Sequence, residues 1–386
     1  MCPAHPLRLT YRLPAPGVEP VENTHLPMHR RHFLRSAAGT LAFSSLAPAL
    51  PAKTPDTTRP FRSPDFPRFR GPFPILSTPY KTDGAVDFEV LARSARFMDW
   101  CESPGMIWPQ SNDSIDLLTQ DEKLQGMEVL ARTCGHLKTT ALCLGVQGSD
   151  TDEMLVYAKH ARALKSVAII SRPPDNGKTQ EDLRQYWRAL AEVVTDRPVM
   201  IQTTARTGGI SPSTALLIEL AGEFPNFGFV KEEANPVIPR THELLASPAI
   251  RSVFSARGAY GWLYESRLGT EGLVTERSAY ADLLAKIWRL MRSGSDPALL
   301  KDLYAKLLLM LDLEHTHPGN LRGYSLYLLK LRGVFDTLTS REYGRGGTTP
   351  AKPIVSELNL SQKEIAEIEW RFEELKPHMK HGKFAG

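Results

Sequence analysis

One lysine in this 386-residue chain stands where an amine could do covalent chemistry. Lys231 ends the apolar run Phe227-Gly-Phe-Val-Lys231. If that run is a buried strand, its last side chain leaves an apolar floor and enters a mouth, where desolvation disfavours the ammonium form. A neutral amine can attack a ketone and form an imine, which then serves as an electron sink. Other constellations are weaker. Glu314-His-Thr-His317 offers two histidines at i and i+2, which a helix would point apart. Cys101, Cys134 and Cys143 are spaced for neither a disulfide framework nor a zinc site.

The elements that must carry Lys231 are legible as alternation. Short apolar runs occur at Phe73–Ser77, Met106–Pro109, Thr140–Gly145, Val167–Ser171, Val199–Gln202, Phe227–Lys231, Ser252–Ser255 and Gly272–Thr275. They are apolar on both faces, as parallel strands covered by helices are. Between them lie segments of helical spacing: Asp87–Trp100, a start at Thr119-Gln-Asp-Glu122, Ser211–Gly222 and Ser278–Met291. Eight such strands predict a (β/α)8 barrel. The alternative, an open doubly wound sheet, would carry a Gly-rich turn after its first strand, and Ser77-Thr-Pro-Tyr80 is not one. Residues 296–376 show no further strand pattern. Leu299–Leu313, Leu321–Phe335 and Ser361–Leu375 predict extra helices, with Ser340–Val355 as a surface loop. In such a barrel the catalytic groups sit at the C-terminal strand ends, here Ser77, Gln110, Gly145, Ser171, Gln202, Lys231, Ser255 and Thr275. Lys231 alone among these is ionisable, and none is a His, Asp or Glu, so a metal-dependent barrel lacks support.

Several pieces, in order, resemble a known family. They are Gly71-Pro-Phe-Pro-Ile-Leu-Ser-Thr-Pro-Tyr80, Leu118-Thr-Gln-Asp-Glu122, Pro198-Val-Met-Ile-Gln202 with Arg206-Thr-Gly208, Gly228-Phe-Val-Lys231-Glu232, and Gly269-Thr-Glu-Gly272. Residues 71–376 resemble the dihydrodipicolinate synthase/N-acetylneuraminate lyase family, Schiff-base (class I) lyases and aldolases on a (β/α)8 barrel. The resemblance implies that Lys231 forms the imine with a 2-oxo acid or sugar-acid derivative, without cofactor or metal. It implies that Gln110-Ser-Asn-Asp-Ser114 replaces the family's carboxylate-gripping loop, with Ser111 and Asn112 in its two threonine places. Both retain hydrogen-bond donors. Arg206 matches the rim arginine able to take a second carboxylate as a planar fork. The family's proton-relaying tyrosine falls on Ile201, and Gln202 follows as a substrate-side residue. An aliphatic chain relays no proton, so dihydrodipicolinate synthesis itself is not expected. Glu232, Glu233, Asp113 or a water held by Gln202 are the candidates for a replacement. A barrel that binds oxo acids without turnover is the alternative. A homo-oligomer, dimer or tetramer, is expected by resemblance alone.

Composition agrees with a soluble globular body: 42% apolar and 23% charged residues. Residues 1–52 hold five arginines, no lysine and two acids, a net of +3, and the remaining 42 basic and 41 acidic residues leave the body at +1. So nearly neutral a body gives no electrostatic reason to expect nucleic acid or an anionic membrane as partner. Met28-His-Arg-Arg-His-Phe-Leu-Arg35 resembles a twin-arginine export leader. It precedes an uncharged 15-residue run, Ser36–Leu50, that is too short to span a membrane and ends in Ala47-Pro-Ala49. The start is Met1 or Met28. The expected organisation is a leader at 1–52, a linker at 53–70, the barrel at 71–295 and a helical extension at 296–386 packed on it. The expected location is the bacterial periplasm or outside the cell. Replacing both Arg30 and Arg31 by Lys should leave unprocessed precursor in the cytoplasm, read by fractionation and immunoblotting. Undiminished export of the variant would contradict the twin-arginine assignment.

Overall fold

The computed structural model describes residues 69–386 apart from 112, 114, 207, 317–320, 345–348 and 351, and omits the side chains of 314–316 and 321–323. The export leader, nearly all of the linker, Asn112 and the His315/His317 pair therefore lie outside the described residues or side chains.

The strands form where the apolar runs predict them. They are β1 (Gly71–Pro74), β2 (Gly105–Trp108), β3 (Ala141–Gly145), β4 (Ala168–Ser171), β5 (Val199–Gln202), β6 (Phe229–Glu232), β7 (Ser252–Ser255) and β8 (Gly272–Thr275). All pair in parallel, in the order β1-β8-β7-β6-β5-β4-β3-β2. A parallel bridge between Ile75 and Ile107 links β1 to β2, so the sheet closes on itself as a TIM barrel. The helices between strands are α1 (Phe88–Trp100), α2 (Gln120–Cys134), α3 (Thr151–Ala163), α4 (Gln180–Val193), α5 (Thr214–Glu223), α6 (Val237–Ala246), α7 (Trp262–Leu268) and α8 (Ala281–Ser293). Their starts carry side-chain oxygens that accept the orphan N–H groups of a first turn. Asp87 caps α1, and Thr119 with Glu122 forms a reciprocal capping box on α2.

The barrel interior divides into a dry floor and a polar mouth. Phe69, Phe73, Phe229 and Phe254 plug the floor, with Phe69 ring centroids 5.1, 5.4 and 5.0 Å from the other three. Glycine makes this possible at two points: a Cβ on Gly105 would stand 2.1 Å from the Phe73 ring, and one on Gly272 2.3 Å from Phe254. Ile107, Cys143, Ile170, Met200 and Val274 complete the floor. Phe69, inside the span expected to be linker, is fully buried in this floor.

Beyond the barrel lie α9 (Pro297–Thr316), α10 (Leu321–Leu331) and α11 (Gln362–Glu373), close to their predicted spans. The extension is not wholly helical. Part of the expected surface loop forms an antiparallel pair, β9 (Thr339–Glu342) with β10 (Ile354–Glu357). Its sequence hides this, because the buried residues of β9 are Thr, Ser and Arg rather than apolar. Arg341 supplies the reason. Its guanidinium donates to both oxygens of Glu122 at 2.6 and 2.7 Å, and to the carbonyls of Leu117 and Gly84 at 2.8 and 3.0 Å. The carboxylate of the α2 capping box thereby fastens the hairpin to the mouth.

Phe69→Ala should lower the free energy of unfolding by about 3–5 kcal/mol, because truncating a fully buried phenylalanine leaves a cavity. Urea denaturation reads this directly, and a change within about 0.5 kcal/mol would place Phe69 outside the core.

Candidate active site

Strand register decides which side chains share the mouth. Gln202 pairs with Lys231, and Ser171 with Ile201. Since successive residues alternate faces, and Ile170, Met200 and Phe229 line the floor, the next inward positions are Arg172, Gln202 and Lys231. They form one level across β4, β5 and β6. Ile201 belongs instead to the outer core against the helices. The side chain that enters the mouth at the end of β5 is Gln202, so Ile201 does not occupy a relay position.

Lys231 is buried, with a side-chain exposure of 2%, and its Nζ lies 3.3 Å from Oε2 of Glu233, itself 11% exposed. Glu233 is the next inward residue of the same strand direction, just past β6. Burial pushes its carboxyl above the ordinary glutamate range; Lys231 opposes this, while the charges of Glu276 and Glu232 add to it. Glu276 follows β8 and pairs with Arg277 at 2.8 Å.

The other expected relays are occupied elsewhere. Glu232 faces outward. One of its oxygens accepts from Thr203 Oγ1 and Ala234 N, both at 2.8 Å, and the other lies 3.1 Å from Arg240. Asp113 holds the backbone N–H of Thr78 at 2.9 Å with one oxygen and the Thr78 hydroxyl with the other, which ties the loop after β2 to the loop after β1. Gln202 donates to Thr204 O at 3.2 Å, and its buried Oε1 has no hydrogen-bond partner among the described residues.

In the loop expected to hold a carboxylate, Ser111 is tied to its neighbours. Ser111 N–H donates to Gln110 Oε1 at 2.5 Å, and Ser111 Oγ accepts from Arg172 at 3.4 Å. Arg206 does not project alone from the rim. It joins an ion network that sequence reasoning missed. Arg172, 4% exposed in its side chain, forks onto Asp116 at 2.8 and 3.3 Å and reaches Asp175 at 3.3 Å. Arg206 lies 3.5 Å from Asp116 and 3.9 Å from Asp175, donates to Thr349 Oγ1 at 2.9 Å, and stacks over Tyr343 at 5.7 Å. Burial, with Asp116 and Asp113 nearby, pushes the Tyr343 phenol up to about 12, so it stays protonated and donates to Asp113 O at 3.4 Å. The network borders a cavity of about 220 Å³, lined by Gln147 and Lys123 as well. The sequence shows Arg172 only as part of Ser171-Arg-Pro-Pro174; its place beside Gln202 and Lys231 emerges only with the strand registers.

Trp108 and Trp262 are fully buried core residues, Tyr260 donates to Leu311 O on α9, and Tyr264 is exposed. Among the described residues no group of acids, histidines and cysteines could hold a metal ion, and Cys101, Cys134 and Cys143 form no disulfide with one another.

Comparison with known proteins fits this geometry. The model of the dihydrodipicolinate synthetase family matches residues 68–321. The chain belongs to that family. The barrel of eight parallel strands and alternating helices is the fold it shares with solved members. A 4-hydroxy-tetrahydrodipicolinate synthase of Helicobacter pylori (strain Shi470) is 31% identical over 180 residues, which cover 44% of this chain and 58% of the relative. The chain therefore matches little more than half the length of that relative. Among solved structures, N-acetylneuraminate lyase from Fusobacterium nucleatum superimposes with a TM-score of 0.65 at 18% identity, covering 81% of this chain and all of the lyase. A prophage protein of the dihydrodipicolinic acid synthase family from E. coli K12, in complex with pyruvate, gives a TM-score of 0.67 at 18% identity, covering 80% and 99%. At these identities the superpositions speak for the fold.

The two rim arginines should differ sharply in their effect on stability. Arg172→Ala leaves Asp116 and Asp175 facing each other without their buried cation and should cost about 3 kcal/mol. Arg206→Ala removes a quarter-exposed partner and should cost at most about 1 kcal/mol. Equal losses in urea denaturation would contradict the assigned geometry.

Proposed function

We propose that this protein is a Schiff-base-forming lyase or aldolase acting on a 2-oxo acid or sugar-acid derivative, with Lys231 as the imine-forming residue. The observation that carries the reading is the position of Lys231: buried, inward, at the C-terminal end of β6, directly above a dry aromatic floor. The amine attacks C2 of the oxo acid, water leaves, and the resulting iminium accepts the electron pair of a breaking or ionising bond at C3. The named relatives are synthases and a lyase, and one neighbour holds pyruvate, which supports the class of substrate.

The finer reading is that the protein is not a true dihydrodipicolinate synthase, because an amide, Gln202, and not a phenol enters the mouth from β5. A barrel that binds oxo acids without turnover is favoured by the same amide, and it would give imine without product. The Arg30-Arg31 leader supports action outside the cytoplasm.

Borohydride reduction in the presence of pyruvate and other 2-oxo acids should give one adduct, located at Lys231 by peptide mass spectrometry. Lys231→Ala and Lys231→Arg should both lose it, since a guanidinium stays protonated and cannot attack a ketone. Adducts spread over other lysines, or none with any oxo acid, would sink the Schiff-base reading.

A further inference from the structure

We propose that Glu233 is the proton-transfer residue of this site, serving the imine at Lys231 in the place that a tyrosine hydroxyl fills in the family's usual arrangement. This rests on the Schiff-base reading above.

Of the three carboxylates open at the level of sequence, geometry leaves one. Glu232 points out of the barrel with both oxygens engaged by Thr203, Ala234 and Arg240. Asp113 is bound by Thr78 through both oxygens. Gln202 carries an amide, which neither takes nor gives a proton near neutral pH. Glu233 alone among them touches the lysine, at 3.3 Å. Its placement is fixed by its own backbone: the Glu233 N–H donates to Thr203 Oγ1 at 2.9 Å, just past the end of the neighbouring β5. The side chain is thus held on the inward face one step above Lys231, where C2 and C3 of a bound oxo acid would lie. Burial and the neighbouring carboxylate of Glu276 favour its protonated form, and the Lys231 ammonium favours the ionised one. A group under such opposed influences can serve as acid and then as base.

The steps balance. The Lys231 amine adds to C2, and the carbonyl oxygen becomes the hydroxyl of a carbinolamine. Glu233 as carboxylic acid donates its proton to that hydroxyl, which leaves as water while the nitrogen lone pair forms C=N. Glu233 as carboxylate then takes the C3 proton; the C–H pair becomes C2=C3 and the C=N pair returns to nitrogen, giving the enamine. In the lyase direction the same carboxylate takes the proton of a C4 hydroxyl as C3–C4 breaks.

The test separates imine formation from C3 proton transfer. Wild type, Glu233→Gln and Glu233→Asp are incubated with pyruvate in D2O. Loss of methyl proton intensity is followed by NMR, and the borohydride-trapped adduct is measured at its end point. Glu233→Gln should still yield the Lys231 adduct but exchange about 10²–10⁴-fold more slowly, the range general acid–base groups supply. Glu233→Asp, which keeps a carboxylate, should recover part of the rate. Far-UV circular dichroism checks folding, and if Glu233→Gln does not fold, Glu233→Asp alone should show at least a tenfold loss of exchange with trapping intact. Exchange within about threefold of wild type in Glu233→Gln overturns the proposal. So does joint loss of trapping and exchange in both folded variants, which would make Glu233 a support for Lys231 and nothing more. Failure of wild type itself to trap or exchange pyruvate rejects the Schiff-base reading, and this proposal with it.

Discussion

A cation and a carboxylate two residues apart on one strand direction set the terms for the rest of this barrel. The Lys231–Glu233 contact is almost excluded from water, and burying two charges is costly unless each finds the other. Both must therefore face the same way. The pleat guarantees this only if Glu232, between them, faces outward. A third buried charge at that point needs its own neutralisation, which Arg240 provides while Thr203 donates a hydrogen bond. The local order Lys-Glu-Glu is thus one inward pair and one outward anchor. Phe69, Phe73, Phe229 and Phe254 below keep the floor dry, so the charges cannot relax downward into water.

The mouth above is shaped by a second set of charges. Asp116, Asp175, Arg172 and Arg206 come from the loops after β2, β4 and β5 and neutralise one another. Their consequence for substrate is physical. An arginine forked onto a carboxylate of its own chain offers less to a carboxylate of the substrate than an unengaged one. The β9–β10 hairpin closes this edge, with Arg341 clamped to Glu122 and Tyr343 between Arg206 and Asp113. The C-terminal extension therefore contributes to the architecture of the mouth as well as to the outer layer.

Most of the barrel was legible in the sequence because its strands are buried on both faces. Continuous apolar runs such as Val199-Met-Ile-Gln202 have few other interpretations once helical segments alternate with them, and Thr119 and Glu122 announce the start of α2 in their types alone. The hairpin was not legible, since its buried positions, Thr339, Ser340 and Arg341, are polar, and Arg341 is satisfied by groups more than 200 residues away. Lys231 could be singled out because it is a charge at the end of an apolar run. Arg172 could not, because the row it shares with Gln202 and Lys231 appears only when the registers of three strands are known. The same ignorance of register put Ile201 at a relay position that the pleat gives to Gln202. Glu233 stood among four candidates until the pleat separated it from Glu232.

The most direct test of this account is a crystal structure of the full chain soaked with pyruvate and reduced in place with borohydride. The account predicts continuous density from Lys231 Nζ to C2 of the ligand, with the Glu233 carboxylate within hydrogen-bonding distance of the adduct and Gln202 beside it. An unmodified Lys231 still paired with Glu233, or an adduct on any other lysine, would contradict it.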